Sequence, residues 1–243
     1  MNRLTELANK YGTDKGTEGR IDLPDLDGHY FTEFYDEYYS QLIGTHPVLL
    51  EIGVWLGSSI KMVNEYFSGD CEIYCIDIDE NFYENIKDLG DNIHFYKLDQ
   101  GNEEELNNFK NEMENNGIKF DIILDDGSHR INHQMLTYFV FRKLLKSTGI
   151  YIIEDLHTNL KNNDYGVSVE NNRYYTTALD FFINIKPYEG FSQEMNMQLF
   201  DEIDYVKLFL KNHMNNAKDL GYSNDIRTQH NYKSLSAIIK LNQ

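Results

Sequence analysis

The sequence predicts an α/β fold built on a mainly parallel sheet with helices on both faces. Three observations carry this. The middle of the chain alternates short β-rich runs with longer helical patterns. The strand runs are almost continuously apolar, as strands covered on both faces must be. The 243 residues, 41% hydrophobic, suffice for one large domain with a full core. Residues 1–47, aromatic and acidic (HYFTEFYDEYY), are expected as a helical and looped cap, and 48–243 as the main domain.

The elements follow in order. Val48–Gly53 (VLLEIG) is an apolar strand ending in glycine, and Ser58–Phe67 reads as a helix. Glu72–Asp77 (EIYCID) is a second strand and Phe82–Leu89 a short helix. Ile93–Leu98 is a third strand, followed by a polar amphipathic helix at Glu103–Asn115. Phe120–Asp125 (FDIILD) is a fourth strand, Asn132–Leu145 an apolar helix and Ile150–Ile153 a fifth strand. Residues 156–173 show no periodicity and read as a long loop, which in a compact domain is usually functional. A helical insertion is expected at about 174–215. Ser234–Lys240 closes the sheet, with Ile226–His230 as a candidate strand before it.

Charge narrows the function classes. Lys and Arg number 22 against 40 Asp and Glu, a net charge of −18. Such a surface repels phosphate backbones and anionic membranes, so neither nucleic acid nor membrane is an expected partner. Arg130, Lys161, Arg173 and Arg227 could still form a local phosphate site. No apolar run reaches membrane-spanning length, and MNRLTELANK has no signal-peptide core, so a cytoplasmic protein is expected. Cys71 and Cys75 in CEIYC are too far apart along one strand for a disulfide and are expected reduced.

Ligands of open α/β sheets bind beyond the carboxyl ends of the strands. At the first such end lies Glu51-Ile-Gly53-Val-Trp55-Leu-Gly57-Ser58, a glycine turn from strand into helix. It is neither the dinucleotide fingerprint nor a P-loop. Asp77 ends the second strand, where a carboxylate can accept ribose hydroxyls or cap the next helix. Asp99 and Gln100 end the third, reading either a base edge or a turn. Asp125-Asp126-Gly-Ser-His129 ends the fourth and Glu154-Asp155-Leu-His157-Thr158 the fifth. Paired acids from two strand ends repel one another unless a divalent cation sits among them, and hard oxygen donors favour Mg²⁺, Mn²⁺ or Ca²⁺. The bland alternative is helix capping and solvation.

These segments resemble a known group. Glu51–Gly57, Asp77 and Asp99 fit the class I S-adenosylmethionine-dependent methyltransferases. Asp125–Gln134 (DDGSH…HQ), Tyr151–Thr158 (YIIEDLHT) and Asn9–Thr17 (NKYGTDKGT) resemble the metal-dependent sugar O-methyltransferases of macrolide tailoring and of capsular and surface polysaccharide pathways. The likeness runs from about Leu4 to Asn159. It implies a Rossmann-like fold with a mainly parallel seven-stranded sheet. It implies that Glu51, Gly53, Gly57 and Ser58 surround the methionine part of S-adenosyl-L-methionine. Asp77 would then hold its ribose and Asp99 with Gln100 its adenine end, and Asp125 would also belong to the cofactor site. Asp126, Glu154 and Asp155 would hold a divalent metal, Mg²⁺ foremost, with His129 as general base. Trp55 departs from the commonest glycine pattern, and the loop after Thr158 departs most. The expected acceptor is a sugar or nucleotide sugar, and a homo-oligomer is expected.

The chemistry suits those residues. Methyl transfer from a sulfonium to a hydroxyl needs a positioned acceptor and a group to take its proton. A metal with open positions orients vicinal hydroxyls and lowers their pKa, and a histidine accepts the proton. Two alternatives stand beside this. One is a metal-independent methyltransferase of an amine or phosphate-linked molecule. The other is a hydroxylase-like relative, which the absence of a two-histidine, one-carboxylate spacing disfavours, or a non-catalytic one, which would have little reason to keep a histidine beside the metal acids.

Overall fold

In the computed structural model, residues 1–22, 27–159, 178–184, 186–211, 217–219 and 234–242 are described. The chain forms two compact units, Met1–Leu98 and Asp99–Gln243. Residues 1–47 thus fall in one unit with the first three strands.

In the first unit, α1 (Arg3–Tyr11) starts where the Asn2 side chain accepts the Thr5 N–H at 2.8 Å and ends at Gly12 in the left-handed region. Its buried Leu4, Leu7 and Ala8 face inward at helical spacing. α2 (Thr32–Tyr39) carries Tyr35 and Tyr39 four residues apart, stacked at 6.4 Å, and Tyr39 reaches Phe67 at 6.0 Å. The Tyr-rich stretch is therefore a packed aromatic ladder. β1 (Val48–Ile52), α3 (Ser58–Tyr66), β2 (Glu72–Asp77) and β3 (Ile93–Lys97) follow, with β1 parallel to β2 and β2 parallel to β3. α1 packs on α3. A short 3-10 turn at Glu80–Asn85 stands where the sequence predicts a helix over Phe82–Leu89. Asp79 caps it by accepting the Asn81 N–H at 2.9 Å.

In the second unit, α4 (Glu103–Asn115) opens on Asn102, whose side chain accepts two N–H groups, with three glutamates in the first turn. Those acids sit at the positive end of the helix dipole. β4 (Phe120–Asp125) is buried at every position and pairs parallel with β5 (Leu145–Ile153). Between them runs α5 (Ile131–Phe141), continued by a 3-10 turn at Arg142–Leu144. α6 (Ala178–Asn184) and α7 (Gln193–Glu202) are helical as expected. The helical expectation fails beyond them: Ile203–Lys211 is strand β6. Its IDYVKLFLK buries Val206 and Leu208 two residues apart on one face, with Phe209 buried on the other. The three-residue β7 (Ala217–Asp219) pairs antiparallel with β6, and β8 (Ser234–Leu241) runs antiparallel to both β5 and β6. The order within this unit is β4-β5-β8-β6-β7. Among the described residues, the seven longer strands match the expected number, and β7 is a short addition to them.

Within the expected long loop, Leu156–Asn159 form a 3-10 turn. The rest of that loop, the candidate strand Ile226–His230, and Lys161, Arg173 and Arg227 lie outside the described residues. No described helix is long and apolar enough to cross a membrane. Cys71 and Cys75 are free and buried, and burial pushes the Cys71 thiol up to about 11.

Candidate active site

The first unit holds the glycine turn after β1. Gly53 and Gly57 have φ of +93° and +71°, and between them Trp55 holds φ +47°. A non-glycine residue there costs about 1–3 kcal/mol and persists only where its surroundings fix it. They do so here. Asp77 at the end of β2 accepts the Val54 N–H at 2.7 Å and the Trp55 N–H at 3.3 Å on one oxygen, and the Asp79 N–H at 3.1 Å on the other. Asn85 donates to the Trp55 carbonyl at 3.1 Å. Arg20 lies over the indole at 5.6 Å, and the Phe82 ring is 5.3 Å away. Glu51 is buried and accepts from the Ser59 hydroxyl at 3.1 Å, while Ser58 opens α3 partly exposed. The turn thus leads into a helix N-terminus with a carboxylate anchoring its backbone.

The second unit holds the other candidates. Asp99 accepts the Gly101 N–H at 2.8 Å, so its side chain shapes a turn. The buried Gln100 amide donates toward both oxygens of Asp125 at 2.8 Å, and its carbonyl oxygen accepts the Ser128 N–H at 2.9 Å. Gln100 therefore ties the end of β4 to the loop that follows it. Burial pushes the Asp125 carboxyl up to about 7, against the pull of the Gly127 N–H and Gln100. The Ser128 hydroxyl meets His133 Nδ1 at 2.8 Å. Burial, then the charge of Arg130, lowers the pKa of His133 and favours the neutral ring.

Asp126, His129 and Asp155 converge. One donor atom from each lies within 4.8 Å of the others, and all three residues are partly exposed. His129 Nε2 is 3.4 Å from Asp155 Oδ2, and His157 Nδ1 is 3.5 Å from Asp155 Oδ1. The buried His129 Nδ1 has no hydrogen-bond partner among the described residues. His129 and Asp155 both adopt left-handed backbone, with φ of +56° and +55°. Glu154 does not enter the cluster. It is buried, its N–H donates to the Asp125 carbonyl at 2.9 Å, and its own carbonyl accepts from Gln134 at 3.1 Å. Two carboxylates with one imidazole suit a hard to borderline divalent cation.

Residues 50–156 match the family described as a methyltransferase domain. A mycinamicin VI 2''-O-methyltransferase of Micromonospora griseorubida is 29% identical over 163 residues, 64% of this chain and 36% of that protein. An 8-demethyl-8-(2-methoxy-alpha-L-rhamnosyl)-tetracenomycin-C 3'-O-methyltransferase of Streptomyces olivaceus is 31% identical over 137 residues, 54% of this chain and 33% of that protein. The chain therefore spans about a third of the length of these relatives. The solved structure of the MycE methyltransferase of the mycinamycin pathway, in complex with Mg, SAH and mycinamycin VI, matches with a TM-score of 0.65 at 21% identity. That match covers 100% of this chain and 55% of MycE, and it shows the Rossmann-like methyltransferase fold. The matched segment of the methyltransferase domain holds every candidate residue from Glu51 to Asp155. Gln100 as a clamp on Asp125, and Thr158 beside the cluster, escape a reading of the sequence. Their roles depend on partners 25 and 29 residues away, which no local spacing reveals.

Proposed function

We propose that the chain transfers a methyl group from S-adenosyl-L-methionine to a hydroxyl of a sugar, with a divalent cation, Mg²⁺ first, orienting the acceptor. The observation that carries this is the convergence of Asp126, His129 and Asp155 in a methyltransferase domain. The curated relatives are O-methyltransferases named for glycosylated polyketides, which supports a sugar hydroxyl as acceptor. Free, nucleotide-linked and surface-polysaccharide sugars all fall within that class.

Asp126 and Asp155 would hold the cation beside His129, while Glu154, the third carboxylate that the resemblance implies, is buried at the same strand end and lies outside this cluster. When bound, S-adenosyl-L-methionine supplies a methyl on a good leaving group and the cation supplies Lewis acidity. The residues of the chain do the rest. Asp77 fixes the glycine turn against which the cofactor would lie. Gln100 holds the loop that carries Asp126 and His129. His129 takes the acceptor proton at Nε2, where Asp155 Oδ2, 3.4 Å away, stabilises the resulting imidazolium.

The test has two parts. Calorimetry with S-adenosylhomocysteine should show binding. Methylation of sugar acceptors, followed by mass spectrometry, should stop in excess chelator and return with Mg²⁺. Full turnover in chelator would favour the metal-independent reading.

A further inference from the structure

Thr158 sits in the 3-10 turn after β5 and is 4% exposed. Its N–H donates to the Asp155 carbonyl at 2.9 Å. Its hydroxyl reaches the same carbonyl at 2.8 Å and the carbonyl of His129 at 3.1 Å. One hydroxyl thus joins two loops that leave different strands, at the two residues that both hold left-handed backbone. The turn itself is anchored. Neighbouring Asn159 donates to Gln134 at 3.1 Å, and Gln134 donates to the Glu154 carbonyl at 3.1 Å.

We propose that Thr158 is a positioning residue that sets the spacing of His129 and Asp155 by holding both backbones in their strained form. This rests on the metal-assisted reading above. In left-handed backbone a side chain leaves the chain in a direction the relaxed form does not offer. If either residue relaxed to negative φ, its side chain would swing out of the cluster. A hydroxyl at this position supplies the donor in a small volume. Serine keeps that donor; valine keeps the shape and loses it.

The experiment titrates the acceptor-free protein with Mn²⁺, read by electron paramagnetic resonance. Wild type binds, and Thr158→Ser stays close to it. Thr158→Val and Thr158→Ala bind roughly 10- to 100-fold more weakly, the span typical of residues that orient metal ligands. Thr137→Val is the control: that buried hydroxyl donates to the His133 carbonyl at 2.8 Å within α5 and should leave Mn²⁺ binding unchanged. Absence of Mn²⁺ binding in wild type overturns the metal reading itself. Binding in wild type with Thr158→Val unchanged overturns the positioning role alone. A loss in Thr137→Val equal to that in Thr158→Val also overturns it, because any lost hydroxyl then suffices. Should Thr158→Val not fold, Thr158→Ser against Thr158→Ala carries the comparison, and equal affinities reject the proposal.

Discussion

His129 and His133 differ in surroundings although both follow the same aspartate pair. His133 gives one ring nitrogen to Ser128, and its ring packs against Gly101, where an added Cβ would stand 2.5 Å from Nε2. His129 faces Asp155, and its Nδ1 is unpaired among the described residues. His129→Ala should therefore lower turnover about 100- to 10,000-fold while S-adenosylhomocysteine affinity hardly changes. Steady-state kinetics beside calorimetry check this, with His133→Ala and His157→Ala as controls. A larger loss from either control at equal stability assigns the base elsewhere. Asp77→Ala should weaken S-adenosylhomocysteine binding by about 1–3 kcal/mol, since the change removes charged acceptors and leaves the Val54 and Trp55 N–H groups unpaired. Unchanged affinity would count against a ribose role.

The turns and helix ends carry the next predictions. Gly57→Ala places a Cβ 2.5 Å from Ile86 Cγ2 at φ +71°. Strain and clash together should cost about 2–4 kcal/mol in urea unfolding. At the end of α5, Arg142 is 1% exposed and donates to Glu202 of α7 at 2.5 Å. Glu202→Ala strands a buried guanidinium and should cost about 3–5 kcal/mol, whereas Arg142→Met keeps the apolar volume and should cost less. Equal losses would mean that the unpaired guanidinium carries no penalty of its own. Burial by itself would raise the Glu202 carboxyl, but the Arg142 hydrogen bond and charge outweigh it, so its pKa lies below the ordinary 4.5. A carboxylate with a lowered folded pKa contributes stability above its unfolded pKa and loses it as pH falls through the folded value. Wild type should lose this contribution below about pH 4.5, and Arg142→Met should show a shallower acid decline.

The strands β1, β2 and β4 are legible in the sequence because each is a largely apolar run ending at glycine or acid, as in VLLEIG and FDIILD. β6 is not. Its lysine and tyrosine residues on one face mask a period-two pattern that follows directly on a true helix, α7. At the site, Asp126, Asp155 and His129 are legible as residue types at strand ends. The burial of Glu154 and the engagement of Gln100 are not, because both depend on tertiary partners.

At the scale of the molecule, a net charge of −18 dominates. Such self-repulsion is screened by salt, with a Debye length of about 10 Å at 0.1 M. The midpoint of thermal unfolding should rise between low and moderate NaCl concentration. A fall would mean that specific ion pairs such as Lys146–Asp121, at 2.7 Å, outweigh the repulsion.

Trp55 is the only tryptophan in the chain, and 52% of it is exposed at the turn between β1 and α3. Selective excitation of its indole therefore reports on that turn alone, without any label being added. A ligand entering beside Gly53 and Gly57 would displace water from the ring and disturb the stacked Arg20. Its arrival should register as a shift in emission, read in real time from unmodified protein.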